Sequence, residues 1–76
     1  MKSITIFLNS IDKVKSFVNT IAAYDCDFDL MSGRYVIDAK SIMGIFSLDL
    51  SKPIELCIHE NDKMDEILEK LKAYEA

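Results

Sequence analysis

The chain is poor in the residues on which most catalytic chemistry depends. Its 76 residues include one histidine, His59, two cysteines, Cys26 and Cys57, and two glycines, Gly33 and Gly44. A single histidine, with no nucleophile and acid set around it, gives no Ser-His-Asp arrangement. Two isolated glycines give no loop that could cradle a phosphate. Two isolated thiols do not make a zinc site, and a small secreted scaffold would carry more of them. Neither cysteine has a companion histidine or basic cluster to activate it, so both are expected as reduced, structural thiols. No stretch approaches the roughly 20 apolar residues that span a bilayer. Lys2 is followed by a strand-like run, not by an apolar leader with a small-residue cleavage site. A soluble, cytoplasmic protein is therefore expected. Basic clusters are missing too, with 9 Lys and Arg against 13 Asp and Glu and a net charge of −4. Nucleic acid and anionic membranes need clustered cations, which excludes both as partners.

What remains is a globular balance, half hydrophobic and 29% charged, sized for a single domain over residues 1–76 with a modest core. There are no repeats, linkers or low-complexity tracts. From Ser3 to Leu8 the chain alternates, with Ile4, Ile6 and Leu8 on one side, which predicts a half-buried strand. Asn9, Ser10 and Asp12 offer N-caps for a helix whose stripe is Val14, Phe17, Val18, Ile21 and Ala22. Asp27 to Met31 and Tyr35 to Asp38 read as a hairpin, with Gly33 supplying a positive φ in the Ser32-Gly33-Arg34 connection. Ser41 to Leu48 reads as a short helix capped by Ser41. After a turn at Ser51-Lys52-Pro53, Ile54, Leu56 and Ile58 alternate as a last strand. Asn61 and Asp62 are expected to cap a final helix with the stripe Met64, Ile67, Leu68 and Leu71. The order is βαββαβα. One-sided strands and helices imply an α+β fold of two layers, with helices covering one face of a four-stranded sheet. The sheet can be antiparallel if the last strand inserts between the first two.

The short helix does not fit a plain core. At about 100° per residue, Ile45 and Leu48 fall on one side, and Ile42, Met43 and Phe46 fall on another. A surface helix buries one face, so the other becomes an exposed apolar patch. Such patches mark interaction surfaces, and methionine suits them by its flexibility. The alternative is a loosely helical segment buried all round. Ser41, preceded by Lys40, is an N-cap on the simplest reading. A phosphate on it would meet helix N–H groups and bring about two negative charges beside the patch.

Two further features read as structural. Asp25, Asp27 and Asp29 flank Phe28 at strand spacing, without the bidentate Glu of a calcium loop, and read as a solvated strand face. His59 is out of phase with Ile58 and is expected on the solvent side. No metal or cofactor is expected.

The run from Ala39 to Leu48, Ala-Lys-Ser-Ile-Met-Gly-Ile-Phe-Ser-Leu, resembles the regulatory-serine motif of the HPr family, the phosphocarrier proteins of the sugar phosphotransferase system. The length, the βαββαβα order and the Phe17-Val18 pair agree with that family. The resemblance covers essentially the whole chain and is sharp over residues 39–48. It implies an HPr-like sandwich, a kinase target at Ser41, and a docking surface at Ile42, Met43 and Phe46 beside Lys40. The implied partners are HPr kinase, phosphotransferase-system enzymes or transcriptional regulators.

The family carries its phosphoryl group on a histidine in a Gly-Leu-His-x-Arg-Pro segment at the start of the first helix. Here the matching stretch is Asn9-Ser10-Ile11-Asp12-Lys13. Ser10 stands at the histidine and Asp12 at the arginine, and the glycine and proline are absent. A serine hydroxyl does not form a labile phosphoramidate, and Asp12 repels an incoming phosphate. Lys13 offers a charge but no planar guanidinium fork. The expected function is thus regulatory or binding, without enzymatic activity, by a monomer or weak dimer. The competing readings are a phosphocarrier with an unconventional acceptor among Ser10, Asp12 and His59, and a plain module that self-associates through the Ile42, Met43 and Phe46 patch.

Overall fold

A computed structural model describes residues 1–76. The elements run β1 (Lys2–Ile6), α1 (Ile11–Ala22), β2 (Phe28–Ser32), β3 (Tyr35–Asp38), α2 (Ile42–Phe46), β4 (Ile54–Ile58) and α3 (Met64–Leu71), followed by a 3-10 turn over Lys72–Tyr74. The strands form one antiparallel sheet in the order β1-β4-β2-β3. The last strand therefore inserts between the first and second, the arrangement that alternation alone left open.

Register explains the two layers. Ile4, Leu56, Leu30 and Ile37 lie in one row across the sheet, with Ile58 and Phe28 paired beside them. These apolar side chains share a face and pack against Val14, Phe17 and Ile21 of α1, Ile45 of α2, and Ile67 and Leu71 of α3. The opposite face carries Ser3, Cys57, Asp29 and Asp38 in one row and Thr5, Glu55, Met31 and Val36 in the next. A sheet with one polar face needs helices only on the other. Cys57 is buried although it lies on the polar face. It sits on a central strand between Ser3 and Asp29, and its Sγ lies 3.3 Å from Ser3 Oγ. Both cysteines are free thiols.

Local chemistry sets the element ends. Ser10 caps α1, its Oγ accepting from Lys13 N at 3.1 Å. Gly33, with φ 61°, begins the two-residue loop between Ser32 and Tyr35, the position that a type II′ hairpin turn reserves for glycine. The second strand is shifted by one residue from the expected Asp27 to Met31, and three element ends differ further. The first strand ends at Ile6, although Leu8 remains fully buried. The short helix ends at Phe46 because Ser47 Oγ donates to the Gly44 carbonyl at 2.6 Å and terminates it. Asn61 and Asp62 do not cap α3. Asn61 Oδ1 instead accepts from Lys63 N at 2.8 Å, forming a turn before a helix that has no side-chain cap. Ala22, expected in the buried stripe of α1, is exposed.

Candidate functional site

Ser41 is exposed at the start of α2. Its Oγ accepts from Gly44 N at 3.2 Å, and its carbonyl accepts from Ile45 N at 3.0 Å. A Cβ at position 44 would stand 3.2 Å from Ser41 Oγ and 3.4 Å from Ile37 Cδ1, so the glycine lets the cap and the sheet close on each other. The hydroxyl is therefore held in a fixed place and remains open to solvent.

The helix is two-faced, as its periodicity predicts. Ile45 is fully buried, and Leu48 packs partly against the core. Met43 is 78% exposed and Phe46 39% exposed. Ile42 departs from the expectation of a fully open patch, since it is half-buried against the core and contributes only an edge to the surface. Lys40 departs further. Its ammonium turns inward, donating to the Tyr24 carbonyl at 2.6 Å and lying 5.6 Å from the Phe28 ring centroid. It pins the chain entering α2 to the end of α1 and does not present a free charge beside Ser41.

In the same layer, α1 packs against α2. Ser10 is engaged as the α1 cap, and Asp12 is exposed in the first helical turn. Ile11, between them, is 62% exposed. In the sequence it falls neither in the buried stripe expected for α1 nor in the expected exposed patch. The missing signal is tertiary, since nothing covers the first turn of α1 on that side.

His59 is half-buried and not fully solvent-exposed as expected. Its Nε2 lies 2.8 Å from Asp29 Oδ2, each side chain 37% exposed. It lies on the polar face, one residue beyond the Lys2–Ile58 pair, whereas Ser10 follows the opposite end of β1. At about 3.4 Å per residue the two are separated by roughly a strand length, and they belong to different layers. Asp25 and Asp27 are exposed, and no three His, Cys, Asp or Glu side chains converge into a metal-binding group. An open cleft of about 890 Å³ lies elsewhere, between the hairpin tip and the segment following α2, and includes Arg34, Tyr35 and Lys52. None of the candidate site residues Ser10, Asp12, Lys40, Ser41, Ile42, Met43 and Phe46 lines it.

Fold and surface together define a class: a small open-faced α+β sandwich whose helical layer carries two serine-capped helix starts and an exposed apolar helix face. The chain belongs to the HPr family of the phosphotransferase system, whose family model, described as PTS HPr component phosphorylation site, matches residues 13–76. The match begins just after the Ser10–Asp12 segment. The chain is similar to HPr-C-His from Thermoanaerobacter tengcongensis, at 26% identity and TM-score 0.76, over 93% of this chain and 90% of that one. It is similar also to the phosphocarrier protein HPr from Bacillus anthracis str. Ames, at 27% identity and TM-score 0.72, over 99% and 94%. Proteins of this family carry phosphoryl groups and are not catalysts in themselves. No helix is long and apolar enough to cross a membrane.

Proposed function

We propose that this chain is a regulatory HPr-family protein that docks protein partners through α2, is controlled by phosphorylation at Ser41, and does not carry a phosphoryl group at the start of α1. The carrying observation is the contrast between the two helix starts. At α2, an exposed hydroxyl stands beside the exposed Met43 and Phe46, an anchor chemistry suited to a desolvating partner. At α1, the aligned acceptor position is a serine in use as an N-cap, with Asp12 in the receiving turn. A carboxylate there opposes the phosphate that a carrier must accept. Ile11 is a further exposed apolar side chain in the same layer, and a phosphoserine at position 41 would add about −1.5 to −2 charges beside Met43 and Phe46. Partners would thereby be sorted by whether they offer a cation opposite Ser41. With Lys40 turned inward, that cation would have to come from the partner. The partners by family are an HPr kinase, a phosphotransferase-system enzyme or a transcriptional regulator. His59 is a poor alternative acceptor, being paired with Asp29 on the other face.

The test is intact-mass measurement after two incubations, one with ATP and an HPr kinase, the other with phosphoenolpyruvate and the upstream phosphotransferase enzyme. An acid-stable gain of one phosphoryl group in the first arm, lost in Ser41→Ala, is expected. A labile adduct in the second arm would refute the loss of carrier chemistry.

A further inference from the structure

The sheet has two edges, β1 and β3, and the chain treats them differently. The β1 edge is covered by the C-terminal residues. Phe7 N donates to the Tyr74 carbonyl at 2.8 Å, Ala76 N donates to the Thr5 carbonyl at 3.1 Å, and Ile6 bridges Glu75. Nothing covers β3. Its two-residue turn makes Ser32–Tyr35 a hydrogen-bonded pair, and alternation makes Leu30–Ile37 the next. The bond from Ala39 N to the Phe28 carbonyl at 2.9 Å continues that series. The N–H and C=O of Val36, and the N–H of Asp38, therefore point away from the sheet. Val36 is 62% exposed and Tyr35 66% exposed, on a strand of four residues.

We infer that the β3 edge pairs with the β3 edge of a second copy, antiparallel and centred on Val36, joining two four-stranded sheets into one. Charge chooses both the partner and the register. With Val36 opposite the partner's Val36, Arg34 falls opposite the partner's Asp38, and the two-fold axis repeats that pair. Arg34, Val36 and Asp38 share one alternation, so the two ion pairs flank a valine pair on the polar face. Tyr35 and Ile37 oppose each other on the other face. Arg34 has no ion-pair or hydrogen-bond partner within the chain. Asp38 lies directly across from Asp29, whose carboxylate is held by His59, and Asp38 Oδ1 accepts only from Lys40 N at 2.9 Å, so the exposed carboxylate has no cation within the chain and can take an incoming guanidinium. Sliding the register by two residues puts Arg34 opposite either the partner's Lys40 or the partner's Val36, and the charge match is lost. Edge strands generally avoid such pairing through charges that clash. Here the end charges are opposite and become complementary under two-fold symmetry.

The experiment is sedimentation equilibrium of the whole chain up to about 1 mM, where weak pairs associate. The expected mass rises toward twice the 8.7 kDa of one chain and falls back with added salt. Val36→Pro, which removes an N–H that β2 does not use, should remain folded by circular dichroism and stay monomeric. Arg34→Asp and Asp38→Arg should each be monomeric alone and form a heterodimer when mixed, because both cross-strand pairs are then restored. A wild-type monomer throughout overturns the inference. So does a dimer that survives Val36→Pro and Arg34→Asp, or one that only Met43→Asp dissolves.

Discussion

Ile45 and Met43 lie two residues apart on a helix of five, and their truncations should affect opposite properties. Ile45 is the only fully buried residue of α2, and Met43 is 78% exposed. Replacing a buried isoleucine by alanine removes its transfer energy and leaves a cavity, at about 2–5 kcal/mol. A domain of this size has a total stability on the order of 4–11 kcal/mol, so Ile45→Ala should take a large share of it, with a midpoint lowered by roughly 8–40 °C at about 4–8 °C per kcal/mol. Met43→Ala should stay within about 0.5 kcal/mol of the parent, because an exposed truncation removes little packing and alanine suits a helix. Urea titrations followed by circular dichroism give both differences, and an unchanged slope shows that the unfolded reference is the same. Binding to a partner should show the reverse order, with Met43→Ala losing affinity at full stability. The two-faced reading of α2 is refuted if Met43→Ala costs about 2 kcal/mol or more, which would place its side chain in the core. It is refuted equally if Ile45→Ala costs less than about 0.5 kcal/mol.

Ser41→Ala removes the bond from Gly44 N and should cost about 1 kcal/mol, read in the same urea titrations, whereas Ser41→Gly should cost only a few tenths. The Tyr24 hydroxyl donates to Glu66 Oε2 at 2.6 Å, and that bond, with burial, pushes its pKa from 10.0 up to about 12. A folded pKa above the unfolded one contributes stability that is complete below pH 10 and is lost as the pH rises to 12. Tyr24→Phe should accordingly flatten the alkaline fall of stability in that window, and an unchanged fall would refute the assignment. Ser10→His alone should gain no phosphoryl group from phosphoenolpyruvate and the upstream enzyme, because Asp12 still faces the incoming charge. The pair Ser10→His and Asp12→Arg should gain one, detected by intact mass at neutral pH.

The fold was legible wherever one residue type had one job. Alternation located the β1, β2 and β4 cores because each strand turns its large aliphatic and aromatic side chains mainly to one face, and Gly33 located the hairpin because only a positive φ fits its turn. The order of strands was not legible, since antiparallel pairing with β1 or with β2 leaves the same alternation in β4. The final cap was misread for a related reason. Asparagine before a helix can accept from the helix itself or from a turn just ahead of it, and Asn61 takes the turn. His59 was placed on the correct face but not with its partner, because Asp29 comes from a strand 30 residues earlier and only the register of β2 against β4 brings them together. The inward turn of Lys40 is not legible because a lysine stem is long enough to fold back. Nothing in its local sequence reveals the Tyr24 carbonyl and Phe28 ring that receive it.

The two serines that matter most are identical in their own chemistry. Ser10 accepts from Lys13 N at 3.1 Å and Ser41 from Gly44 N at 3.2 Å, each three residues ahead, each opening a helix of the same layer. Capping geometry therefore cannot say which start is used, and any functional difference must come from the residues that follow. After Ser10 come Ile11 and Asp12, an exposed apolar side chain and a carboxylate in the first turn. After Ser41 come Ile42, Met43 and Gly44, with no acid in the first turn. An added phosphate at the second start meets a first turn without a carboxylate, the nearest being Asp38 on Lys40 N just before the helix, and at the first it meets Asp12 within the turn. The same hydroxyl is for that reason a better place for a dianion at α2 than at α1, and the asymmetry rests on Asp12 standing inside the first turn of α1, where mutation can remove it.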